Sequence, residues 1–130
     1  MVRPIPTILL LASSSLFAGE WSDIDSKLPK SWDEKLAPII AKHLHLEKAA
    51  VIESFRFKGW SIIHVGTYID DDRFLFYKGD PLKTIPVTEW GGAAGSDETD
   101  EVKAWVLENA KGIPDHLASF FAWHMTKDHN

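Results

Sequence analysis

From Ala50 to Lys78 apolar and polar residues alternate with a period of two, and two short breaks interrupt the alternation. Only strands suit this pattern, since side chains one apart on a strand point to opposite faces while a helix repeats about every 3.6 residues. In "VIESFRFK", Val51, Glu53, Phe55 and Phe57 alternate with Ile52, Ser54, Arg56 and Lys58. Lys58-Gly59 marks a tight reversal. "WSIIHVGTYI" supplies the next strand, and both of its faces are rich in apolar residues, so it is expected to be covered on both sides, at least in part. Asp70, Asp71 and Asp72 make the following turn, "RFLFYK" is the third strand, and Gly79-Asp80-Pro81 ends it. "TIPVTEW" offers a fourth strand that Pro86 confines to a sheet edge.

Helical patterns flank the strands. "SWDEKLAPIIAKHLHL" carries a capping-box pair, Ser31 and Glu34, and one helical face of Leu36, Ile39, Ile40, His43 and Leu44. Pro38 conflicts with a continuous helix, and the spacing favours a main helix that begins with Pro38 at its first position. After the loop "GGAAGS", "DETDEVKAWVLENAKG" reads as a helix with an acidic first turn and Gly112 as its stop signal. "IPDHLASFFAWHMTKD" reads as a last helix with an inner stripe of Leu117, Phe120, Phe121, His124 and Met125. The expected class is therefore α+β: an N-terminal helix, a three- to four-stranded antiparallel meander, and two C-terminal helices, with the helices packed on one face of the sheet.

Residues 1–18 differ from the rest. Arg3, an apolar run from Ile5 to Ala18 and small residues near its end have the proportions of a secretory signal cleaved after Ala18, and the run is too short to span a bilayer. The expected organisation is a signal peptide at 1–18 and a single α+β domain at 19–130, exported to a periplasm or secreted. The chain has no cysteine, so thiol nucleophiles, thiolate zinc sites and disulfide staples are all excluded, and its core must hold it together. Its net charge of −5, one unit more negative without Arg3, disfavours nucleic acid and anionic lipid as partners and favours a basic protein.

Candidate chemistry is sparse. Counting a calcium loop from Asp70 puts Leu75 at the sixth position, where glycine is required, so the triple aspartate suits an exposed turn rather than a cation site. The glycine-rich loop before Asp97 lacks the lysine of a phosphate-binding loop, and the carboxylates of Asp97, Glu98, Asp100 and Glu101 would repel an anion there. His43 and His45 point apart on a helix, and no HExxH pair occurs. His64 in mid-strand and His124 on an apolar stripe are the best placed histidines, expected to be hydrogen-bonded and mostly buried. Glu53 and Glu89 are strand carboxylates of unspecified separation.

No catalytic residues, metal ligands or cofactor are assigned from the sequence. The leading expectation is a small exported binding protein, of inhibitor or immunity type, acting on a basic protein partner. Its contact residues would be Asp70, Asp71, Asp72 and Arg73, with Trp60 or Trp90 as aromatic anchors if exposed. Alternatives are a carrier holding an apolar ligand between sheet and helices, and, more weakly, a hydrolase using His64 or His124.

Overall fold

Two consecutive residues of positive φ, Lys58 at 47° and Gly59 at 82°, reverse the chain in a two-residue turn of the kind whose twist matches a hairpin. In the computed structural model, which describes residues 19–128, this turn joins the first two strands of a four-stranded antiparallel sheet. The order along the chain is α1 (Trp32–His43), β1 (Ala50–Phe57), β2 (Trp60–Gly66), β3 (Arg73–Lys78), β4 (Thr88–Gly91), α2 (Thr99–Asn109) and α3 (Asp115–Thr126). The strands lie in sequence order, so the sheet is a plain meander and the chain is α+β. β4 follows Pro86 and occupies an edge, where the missing proline donor costs no ladder bond. The expected signal peptide at 1–18 lies outside the described residues.

The helices do not share one face of the sheet, as the sequence had suggested. Trp32, Leu36, Ala37 and Ile40 of α1 pack on Val51, Ile63, Val65, Leu75 and Tyr77. Val102 and Val106 of α2, with Leu117, Phe120, Phe121 and Met125 of α3, pack on Phe55, Ile62, Phe74 and Phe76. The two sets alternate along β2 and β3, so both faces of the central strands are dry; Phe74 to Tyr77 are all buried. The unbroken apolar run Phe74 to Tyr77 in β3, and Ile62 beside Ile63 in β2, leave two faces to cover, and one layer of helices covers only one.

α1 also runs straight through Pro38 rather than starting there. Pro38 and Glu34, whose carbonyl the proline cannot partner, both lie on the exposed face, where water can take up that carbonyl. Burial of Leu36 and Ile40 on either side of it outweighs the local penalty. Ser31 makes no side-chain cap, although its carbonyl accepts the Lys35 amide at 2.7 Å. Among the described residues no helix is long and apolar enough to cross a membrane.

Candidate functional site

The hairpin register builds the first half of the site. Phe57 faces Trp60 across the turn, and four residues further from it on each strand Glu53 faces His64. Beyond that pair the register slips at Ile52, a β-bulge that leaves Val51 opposite Val65. Strict alternation would put Val51 and Glu53 on one face; the bulge sends Val51 to the α1 side and leaves Glu53 beside Phe55 on the α3 side. His64 in turn faces Phe74 of β3 and stacks on its ring, with centroids 4.4 Å apart and planes at 20°.

α3 supplies the second half. Phe120 and Phe121 lie in the aromatic layer, Phe120 at 4.8 Å from Phe55 and Phe121 at 5.0 Å from Phe76. That seating brings His124, one turn further along the helix, over the sheet at Glu53. Glu53 Oε2 lies 2.9 Å from His64 Nδ1 and 3.4 Å from His124 Nε2. The outer nitrogens are also engaged: His64 Nε2 lies 3.0 Å from Asp72 Oδ2, and His124 Nδ1 lies 2.8 Å from Asp128 Oδ2. Asp72, His64, Glu53, His124 and Asp128 thus form one line of alternating carboxylates and imidazoles.

The electrostatics follow from that alternation. Hydrogen bonds from His124 and then His64 hold the Glu53 carboxyl down at about 2, against the opposing effect of burial. His124 leads although its contact is the longer, consistent with its deeper burial, its side chain 10% exposed against 17% for His64. Burial works against the charge on His64, but hydrogen bonds to Glu53 and Asp72 outweigh it and raise its pKa above 6.5. For His124 burial is likewise outweighed, by Glu53 and Asp128. The line is an ion-pair network, and every ring nitrogen in it faces a carboxylate. Among the described residues no group of three or more His, Asp or Glu is arranged to hold a metal ion.

The turn between β2 and β3 is the other distinctive feature. β2 ends at Gly66 and not at Ile69, because Tyr68 adopts φ +69°, a conformation costly for a bulky side chain. Buried Thr67 holds the turn: its hydroxyl donates to Asp70 Oδ1 at 2.7 Å and accepts from the Asp70 amide at 3.2 Å. Tyr68 is 64% and Ile69 73% exposed, and half-exposed Ile52 from the bulge lies over Gly66. The Lys48 ammonium sits 4.6 Å from the Tyr68 ring centre. Next to Tyr68 and Ile69 runs a groove of about 280 Å3 whose other wall is His45 to Lys48.

The structure brings four of the expected contact residues to this tip, places Trp90 opposite Phe74 on the neighbouring edge strand, and holds Trp60 far from it. Asp70 pairs with Arg73 at 3.4 Å, Arg73 reaches Glu89 at 2.8 Å, and Asp72 binds His64, while Asp71 makes no ion pair among the described residues. Trp60 stands at the far end of β2, about 20 Å away at strand rise. At 4% exposure it belongs to the core, not to a contact surface, because the α2–α3 layer covers its face of the sheet. Trp90 is half-buried against Trp105 and Phe121, its indole N–H donated to the Gly92 carbonyl at 3.1 Å. A wider recess, about 740 Å3, lies at Trp60's end, where Trp32, Phe57 and Trp60 meet Asp23, Asp25, Arg56, Lys58 and Asp80. Tyr68 and Ile69 were absent from the sequence-based contact set, since alternation alone continues β2 through them; their place immediately before three aspartates was the available signal. No family model, no curated protein and no solved structure matches the chain.

Proposed function

We propose that this is a small binding protein that acts by inserting the β2–β3 tip into an apolar pocket on a basic protein partner. The observation that carries the reading is Tyr68: an aromatic side chain 64% exposed on a backbone at φ +69°. Exposing a large apolar group and straining its backbone both cost free energy, and such strain concentrates at ligand clamps and recognition sites. Tyr68 and Ile69 form the knob, Tyr being among the residues that most often dominate binding energy. Asp70 and Asp71 beside the knob suit a basic rim, and the chain's net charge of −5 steers such a partner toward it. The space between sheet and C-terminal helices is filled by Phe55, Phe74, Phe76, Phe120 and Phe121 in mutual ring contact, which favours a contact protein over a carrier.

Export to a periplasm or to the medium is part of the proposal, with 1–18 as the leader; N-terminal sequencing of the mature protein is expected to begin at Gly19. For the contact itself, a photo-crosslinking residue in place of Ile69 is expected to trap one protein in cells. Once purified, that protein should bind the wild type, less tightly as salt rises, and bind the Tyr68→Ser/Ile69→Ser variant at least about 100-fold more weakly. Equal affinity for that variant and for Asp71→Lys would overturn the reading, as would the absence of any crosslinked protein.

A further inference from the structure

The tip is fastened to the interior through Asp72. Its Oδ2 lies 3.0 Å from His64 Nε2, and the other nitrogen of that ring lies 2.9 Å from Glu53. A neutral imidazole has one N–H and one lone pair, so it can donate to only one of two carboxylates; a ring held between two of them is satisfied only when doubly protonated. The His64 ring cannot turn away without leaving its stack on Phe74. Of the two carboxylates, Asp72 is the more exposed, its side chain 50% accessible against 36% for Glu53, and it stands on a turn while Glu53 stands in a strand. On loss of one proton, Asp72 is therefore the group that lets go.

We infer that docking of the tip is proton-gated: the doubly protonated His64 ring clamps Asp72 and holds the Tyr68–Ile69 knob in its binding form, and loss of one ring proton frees the turn. This rests on the tip being the contact surface. The charged groups facing His64 are Glu53 from β1 and Asp72 from the turn, with Asp71 along the same groove. Those facing His124 from its own helix end and from the sheet are Asp128 and Glu53. No lysine or arginine is ion-paired to any of the three inner carboxylates, Glu53, Asp72 and Asp128, among the described residues. The pKa of His64 is raised above 6.5, so the clamp is complete below 6.5 and is lost as pH rises through that raised value.

The test uses the full chain without any partner. His64 is titrated by NMR through its ring carbons while hydrogen exchange is followed at the amides of residues 67–72. The gate predicts a His64 pKa above 6.5, with tip exchange accelerating at the same midpoint by roughly tenfold beyond its intrinsic rise with pH. Asp72→Asn should abolish that step, whereas Asp128→Asn should leave it in place. Tip exchange indifferent to the His64 titration, or a His64 pKa at or below 6.5, overturns the gate. The docking reading fails separately, by unchanged affinity of the Tyr68→Ser/Ile69→Ser variant, so the two failures are distinguishable.

Discussion

A single carboxylate holds two imidazolium rings in this fold, and its protonation sets how much the network contributes. The folded-state value of Glu53 is depressed from 4.5 to about 2, so its stabilisation is fully present above 4.5 and disappears as pH falls through about 2. The histidines carry the opposite sign: with raised folded-state values, they stabilise below 6.5 and cease to do so as pH rises through those values. Denaturation curves in urea should show the largest contribution of the network between pH 4.5 and 6.5. Glu53→Gln is expected to cost about 1–3 kcal/mol in that window and markedly less once the pH has passed the raised values of both rings, as read from their own NMR titrations. An equal cost on both sides of those titrations would show that Glu53 acts through packing rather than charge. Tyr68 tests a different kind of residue effect. Tyr68→Gly relieves a left-handed backbone worth about 1–2 kcal/mol, offset by about 0.5–1 kcal/mol of chain entropy, so stability should stay level or rise while partner affinity falls.

Among the elements, α1 and the β1–β2 hairpin show how local preference and packing divide the work. Pro38 sits inside α1 against its propensity, and the helix survives because Leu36 and Ile40 are fully buried on the sheet. Pro38→Ala should therefore stabilise the protein by about 1–3 kcal/mol, read as a shift of the urea midpoint at constant slope. The hairpin obeys its local sequence instead. Lys58-Gly59 sets a two-residue turn, that turn sets Phe57 opposite Trp60, and counting four residues back and forward yields Glu53 opposite His64. This pair was legible in the sequence to a reader willing to carry the register from the turn. The bulge at Ile52 was not, since an alternating run looks the same whether or not one of its residues is left unpaired.

For the whole molecule, the decisive feature is a sheet dry on both faces, with α1 on one side and α2 and α3 on the other. Phe121, fully buried, touches Phe74, Phe76 and Trp90, so it ties α3 to β3 and β4 together. Phe121→Ala should cost about 3–5 kcal/mol in urea unfolding. The same change should lower the pKa of His124, because α3 loses its seat and the ring its approach to Glu53; a His124 titration left in place would separate the helix position from the network.

The alternation from Ala50 to Lys78 and the turn at Lys58-Gly59 by themselves determined the order of the strands, the β1–β2 register as far as the bulge and the meeting of Glu53 with His64, because a strand's facing is a matter of counting residues from a turn. The arrival of His124 and the positive φ of Tyr68 were decided only in three dimensions. Where a helix settles on a sheet depends on how Phe120 and Phe121 fill the aromatic layer, and whether a residue bends into a left-handed turn depends on what holds that turn from outside, here Thr67 and His64 through two aspartates. Neither is written in the spacing of one segment.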